Sequence, residues 1–375
     1  MMKKILSLIL AFSMIFILAA CGNSETSPNG ETGGESGNVS GKTDSENSKR
    51  PELTINKTPS QILAENLVDY TDPNGLFTAK IPEGWLVSTA GYDMYYWIRI
   101  YDPAAPDLQV FSLLKAECLL MDQNSKDFYE SMRSFSLYTM FADMIVVEKV
   151  EDFYSNFMEY CGFMTQYEPT YEGFEYPQIN DFEVIEKTPG MSVFSDVSDA
   201  AIDDAVIHGT FTDNWTGEKG EGMFTGTLVN GFAMNGAGCN MMYNINALTS
   251  RYGEFCEYEE LLTDIFASIS YTDTFVSTVM QDAQIKAAGA QALNQTLQET
   301  SSIITDGWEA RQKTYDIESQ KYSDATLGYE RVYDVETGEI YKAYNGFSDI
   351  TDIDDYYLPV TDEMYSEPIS GYIER

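Results

Sequence analysis

A single histidine, His208, occurs in 375 residues, and its isolation removes several chemistries at once. No Cys-x-x-Cys or Cys/His spacing exists, so a zinc centre lacks a ligand set. No Gly-x-Ser-x-Gly elbow marks a nucleophile for His208 to serve. With Asp203 and Asp204 nearby, it reads as a satisfied structural histidine rather than the base of a triad. Cations are scarce too: 22 Lys and Arg face 60 Asp and Glu, a formal net charge of −38. That field repels phosphate, which excludes a nucleic-acid binder and disfavours adsorption to an anionic lipid surface. The stretch Gly37-Asn38-Val39-Ser40-Gly41-Lys42-Thr43 imitates a phosphate loop, but position 36 is Ser where the first Gly is required, and no strand precedes it. The apolar run from Ile5 to Leu18 is broken by Ser7 and Ser13 and is shorter than the ~20 residues of a spanning helix.

That run follows Lys3 and Lys4 and ends in Leu18-Ala19-Ala20-Cys21-Gly22, a positive start, an apolar middle and small residues before the cysteine. The pattern resembles the bacterial lipoprotein signal. The resemblance implies that residues 1–20 are a signal peptide and that Cys21 is lipidated and becomes the new N-terminus. It also implies anchoring by that lipid (palmitate or a similar acyl chain) to the outer face of the cytoplasmic membrane. Two acyl chains anchor stably where one is marginal. Removing residues 1–20 takes two lysines and no acid, leaving a charge of about −40. Residues 21–59 continue as a Gly/Ser/Asn/Glu-rich tether whose mean reach, at ~5–6 Å × √n, is roughly 30 Å. The other cysteines, Cys118, Cys161, Cys239 and Cys256, have apolar neighbours such as Leu119, Phe163, Met241 and Phe255. An exported chain permits disulfides among them, and buried thiols explain the neighbours equally well.

The remaining chain, in a sequence with 43% apolar and 13% aromatic residues, holds a sizeable core. Ser60 is placed to cap a short helix running to Leu67. Strands read at 76–81, 95–101 and 108–114, a helix at 126–142, and 144–150 as either a strand or more of that helix. Strands follow at 182–186, 205–211 and 222–229, with a hairpin loop at 214–220. A further strand at 231–244 contains Gly236, Ala237 and Gly238, which suggest a bulge or close packing. A helix at 257–268 and a short strand at 269–271 complete the series.

Phe77-Thr78-Ala79-Lys80-Ile81-Pro82-Glu83-Gly84-Trp85 and Leu261-Leu262-Thr263-Asp264-Ile265-Phe266-Ala267-Ser268-Ile269 bracket this region. They resemble the opening F-x-x-x-x-P-x-G-W strand and the closing helix of the PsbP-like sandwich. The resemblance covers 76–271. It implies an α+β domain over 60–274, an antiparallel β-sheet packed with helices, and a binding or accessory role without a shared catalytic set. Residues 275–375 read as a long α-helix followed by a Tyr-rich C-terminal β-hairpin module. Val279, Ala283, Ala290, Leu293, Leu297, Ile304 and Trp308 give the helix, over 276–320, one narrow apolar stripe. The hairpin turns at 335–339, with Gly338 in the left-handed position. The segment 323–347 resembles one at the C-terminus of uncharacterised lipoproteins of Gram-positive bacteria.

Candidate ligand contacts are Trp215, in the 214–220 loop, and Tyr329, Arg331 and Tyr333, which share one strand face. Tyrosine rings give contact area at low entropic cost and suit sugars or peptides; the same rings could cover the helix and the sheet edge. Asp349, Asp352, Asp354 and Asp355 are a candidate weak Ca2+ site or a solvated acidic loop, because they lack the Gly and distal Glu of an EF-hand. No other cofactor is indicated. The expectation is a lipid-anchored surface binding or accessory protein without catalytic activity, contacting an envelope protein, a peptide or cell-wall glycan. A hydrolase using carboxylates alone is the alternative, and a module self-associating through the long helix is the third reading. Cys21→Ala should abolish incorporation of radiolabelled fatty acid and release the protein from the membrane fraction; an unchanged membrane share would refute lipid anchoring.

Overall fold

A computed structural model describes residues 50, 53–135, 138–190, 201–234, 237–279, 317, 320–321, 324–325, 328–350, 355–365 and 367–373. The signal, most of the tether and residues 280–316 of the expected long helix lie outside the described residues. From Leu53 onward the chain forms one compact unit of mixed α+β type, with mostly antiparallel sheets.

Its centre is a large sheet. Strands β4 (Leu86–Ala90), β5 (Trp97–Asp102), β6 (Ala105–Leu120), β11 (Ala237–Arg251), β10 (Lys219–Met234), β9 (Ala201–Thr212) and β8 (Asn180–Pro189) lie side by side in that order. A short β7 (Ile145–Val146) runs parallel to the end of β6. Strand side chains alternate between faces, and both faces here are apolar. Trp97, Phe111, Ile207 and Ile245 point to one core, while Ile98, Val110, Val206 and Leu248 point to the other. Helices cover the first face: α2 (Gln123–Ser131), α3 (Thr139–Asp143), α4 (Val150–Ser155) and α5 (Phe157–Tyr167). Trp97 is its hub, stacked on Tyr160 at 6.1 Å and met edge-on by Tyr176 at 5.0 Å and Phe111 at 5.3 Å. The second face takes helix α6 (Phe255–Ser268) and a small sheet of β12 (Ser270–Tyr271), β3 (Phe77–Pro82) and β2 (Leu67–Thr71).

Bulges bend the long strands. Glu117 and Cys118 of β6 stand opposite Met241, and Cys118 has φ +65°. Asn244 (φ +53°) and Ile245 stand opposite Gly226. Such insertions leave polar groups unpaired in the ladder, and side chains take them up. Asn246 donates to Thr225 Oγ1 at 3.0 Å and to Asn244 Oδ1 at 2.9 Å and accepts from Ser112 Oγ at 2.7 Å. The Tyr154 hydroxyl donates to the carbonyls of Thr225 (2.6 Å) and Asn246 (2.9 Å).

Several local expectations are corrected. The short helix α1 (Pro59–Glu65) is capped by Thr58, not Ser60. Gln61 N donates to Thr58 Oγ1, and Gln61 Oε1 accepts from Thr58 N, a capping box with Pro59 set for the first turn. Ordered structure begins within the stretch read as tether, since β1 (Ile55–Asn56) is a strand. The helix expected over 126–142 is two helices, α2 and α3, folded together where Arg133 binds both Glu130 and Asp143. Residues 144–150 hold β7 and the first residue of α4, so the strand alternative holds only over 145–146. Helices α4 and α5 were missed, because their aromatic residues have modest helix propensity. Phe153, Tyr154, Phe157, Tyr160 and Cys161 nevertheless recur at helical steps, and all are buried. The four cysteines after residue 53 are thiols, not disulfides.

The C-terminal strands form a five-stranded sheet in the order β1, β16 (Ile369–Ile373), β14 (Ile340–Tyr344), β13 (Tyr329–Asp334) and β15 (Tyr357–Pro359). Helix α7 (Asp273–Val279) packs on the second face through the buried Phe275, whose ring lies 4.4 Å from that of Tyr271. One six-residue pattern, Asp-x-x-Thr-Gly-Glu, makes the turn twice, at Asp213–Glu218 between β9 and β10 and at Asp334–Glu339 between β13 and β14. In each, the aspartate Oδ1 accepts two backbone N–H groups: those of Trp215 and Thr216, and those of Glu336 and Thr337. Gly217 and Gly338 take φ +74° and +76°, where other residues are strained. Asp334→Ala should cost roughly 1–3 kcal/mol, whereas Asp334→Asn, which keeps the acceptor, should retain most of it; equal urea midpoints for wild type and Asp334→Ala would refute this.

Candidate functional site

A cavity of about 920 Å³ lies where the large domain meets the C-terminal sheet. Its floor is the strand-end region of the large sheet, with Asp102 from β5, Ala105, Asp107 and Leu108 from β6, and Ser250 and Arg251 from β11. Glu254 and Tyr258, before and within α6, and Ile62 and Leu63 of α1 add a second side. The third side is the C-terminal sheet, which presents Tyr329 from β13, Tyr344 from β14 and Tyr372 from β16. The rings of Tyr329 and Tyr372 meet at 5.7 Å, tilted by 60°. The volume falls in the range of small-molecule pockets.

Buried charges hold that third side in place. Lys342 of β14 forms ion pairs with Glu257 of α6 and with Asp324 Oδ1, the latter at 2.9 Å. Asp324 Oδ2 accepts from Arg331 Nε at 2.7 Å, and Arg331 Nη1 donates to the Tyr365 carbonyl at 3.0 Å. The Tyr372 hydroxyl donates to Glu257 Oε2 at 2.8 Å, so one cavity tyrosine is fixed by the same carboxylate. All four charged side chains are buried. Two cations and two anions out of water are tolerated only while each has its partners; removing one leaves a buried charge uncompensated.

The cavity acids are less well satisfied. Asp107 is 1% exposed, and neither of its carboxylate oxygens has a hydrogen-bond partner. Burial pushes its carboxyl up; its own backbone N–H and Arg251 oppose this, and nearby Asp213 and Glu218 add to it. Burial likewise pushes Glu254 up, with Arg251 opposing and Glu257 and Asp107 reinforcing. The Arg251 guanidinium lies 4.0 Å from Glu254 Oε1, and its side chain is about half exposed. Tyr258 is pushed up to about 12, by burial first and then by Glu254 and Glu257. Lys57, also on the lining, is paired with Glu65.

The expected site residues scatter. Tyr329 lines the cavity, and Tyr333 is half-buried on the same strand. Arg331 is not a surface contact: it is 2% exposed and belongs to the ion network, because a desolvated guanidinium needs carboxylate and carbonyl acceptors on every side. Trp215 is 45% exposed, yet the Arg99 guanidinium lies 4.5 Å from its ring and 4.0 Å from that of Tyr101. Asp349 and Asp355 are exposed, and Asp352 and Asp354 lie outside the described residues. Among the described residues no group of three or more His, Cys, Asp or Glu is arranged to hold a metal. His208 is buried, with Nε2 2.7 Å from Glu221 Oε1, and Glu221 Oε2 accepts from Gly253 N at 2.8 Å. Glu221 is therefore a carboxylate paired with it. Among the described residues no helix is long and apolar enough to cross a membrane.

Asp107, Glu254 and Tyr258 were not anticipated. Asp107 sat just before an expected strand, and nothing local marks it. Tyr344 and Tyr372 belonged to a conspicuous run of C-terminal tyrosines, and their shared position became evident only with the sheet order. No protein-family model and no curated protein matches this chain.

A carboxyl raised in the folded state binds its proton more tightly there than in the unfolded chain, so Asp107 makes stability fall as pH rises above the ordinary carboxylate range. Asp107→Asn should raise stability by roughly 1–2 kcal/mol at pH 7 and by little below about pH 4. Thermal melts at the two pH values test this, and a loss of stability at pH 7 would refute it.

Proposed function

We propose that this protein is a lipid-anchored surface binding or accessory protein whose ligand site is the tyrosine-lined cavity. The anchor is the lipid on Cys21, placing the folded part on the outer face of the cytoplasmic membrane. The ligand is a segment of an envelope protein, a peptide or cell-wall glycan. The observation that carries the reading is the cavity itself, in which Tyr258, Tyr329, Tyr344 and Tyr372 from separate elements line one space. Rigid rings with a polar edge bind such ligands with little loss of side-chain entropy. We further propose that the large domain is a PsbP-like sandwich, supported by its antiparallel sheet and by α6 packed on the face that also holds β3.

A carboxylate hydrolase is the second reading, favoured by the presence of Asp107 and Glu254 in one cavity. A two-carboxylate mechanism divides the roles, keeping one group protonated and the other ionised. Burial pushes both of these upward, and Asp102 is a third carboxylate on the same lining.

A photo-crosslinking amino acid at Tyr329, in the full-length protein in its own cells, should yield adducts with one envelope component. The same probe at Leu86, which is 47% exposed and outside the cavity, should not. Equal adduct patterns from both positions would overturn the reading, and a cleaved product bound at Tyr329 would favour the hydrolase.

A further inference from the structure

The cavity has an uneven distribution of polar groups, which constrains its ligand. Its lining carries three carboxylates, Asp102, Asp107 and Glu254, together with the Tyr329–Tyr372 ring pair. Asp107 is the telling group. A buried carboxylate normally accepts several hydrogen bonds, and both oxygens of this one accept none. Leaving such a group unpaired is costly, and a bound donor removes the cost. The two cations on the lining do not meet that need. Lys57 is engaged with Glu65, and Arg251 is half exposed and nearest to Glu254, at 4.0 Å.

The missing partner is therefore a donor brought by the ligand, and one carrying positive charge satisfies both the hydrogen bonds and the surplus of negative charge. Aromatic faces also attract cations and pack against the body that bears them. Resting on the binding reading above, we infer that the cavity takes a ligand with an ammonium group, its charged nitrogen beside Asp107 and Glu254 and its body along Tyr329 and Tyr372. An N-terminal amine, a lysine side chain or a free amino sugar presents this chemistry; a neutral, acetylated counterpart does not.

The test is a matched pair of probes on the full-length protein: the trimer of glucosamine and the trimer of N-acetylglucosamine, titrated calorimetrically at pH 6 and low salt. The free-amine trimer should bind roughly tenfold or more tightly than the acetylated one, the difference expected for one charge-assisted contact. Asp107→Asn and, separately, Glu254→Gln should each shrink that gap, while Tyr329→Ala should weaken both probes alike. Thermal melts of each variant confirm that it folds. If the two trimers bind equally, the inference fails and the cavity remains a binding site for neutral sugars. If neither binds, but acetyl-Ala-Lys-Ala-amide binds more tightly than its Nε-acetyl twin, the inference holds with a peptide body. If no amine probe outbinds its acetylated twin, the ammonium assignment is wrong, and failure of all four probes also removes the support for the cavity as the site.

Discussion

The buried ion network of Lys342, Glu257, Asp324 and Arg331 is the constraint on which the architecture of the site depends. It links the C-terminal sheet to α6 of the large domain through charges that have left water. Such a joint is unforgiving, because half of it is worse than none. It is also directional. A hydrophobic patch would tolerate sliding, whereas paired charges fix one register between the two surfaces. The third side of the cavity inherits that register, since Tyr372 hydrogen-bonds the same Glu257 that holds Lys342.

Within the large domain the comparable constraint is the double-faced central sheet. Because both faces of its middle strands are covered, their polar groups have no recourse to solvent, and irregularities there are satisfied internally. The network of Asn246, Thr225, Asn244, Ser112 and Tyr154 does this around the Asn244 bulge. Strand β6 crosses the whole domain, from Asp107 on the cavity floor to Cys118 in the bulge opposite Met241. Asp107 is the contrast: a carboxylate just as buried, placed where no neighbour completes it.

Sequence reading recovered what depends on neighbours in the chain. Alternating apolar residues located most strands, and Gly338 located the turn between β13 and β14. The other turn of the same Asp-x-x-Thr-Gly-Glu pattern, at Gly217, falls within the hairpin loop expected at 214–220. The lengths of β6 and β10 were underestimated because both strands run beyond their apolar segments, and the strand expected at 231–244 straddles the end of β10 and the start of β11. Helices α4 and α5 fall where no element is expected, although Phe153, Phe157 and Tyr160 recur at a helical period. The cavity was beyond local reading altogether. Its walls come from β1, β6, α6 and β16, and Asn56 and Tyr372 face the same space from opposite ends of the sequence.

That last pairing has a mechanical meaning. Ile55 and Asn56 zip onto Ile373 and Tyr372, so the first strand of the unit is held by the last. A pull applied at Leu53 enters the fold through a two-residue ladder, backed by the hydrogen bond from Gln61 to the Ser370 carbonyl. The first pieces such a force would displace, Asn56 and Lys57, belong to the cavity rim. Tension along the N-terminal segment would therefore deform the cavity before it disturbed either hydrophobic core of the large domain.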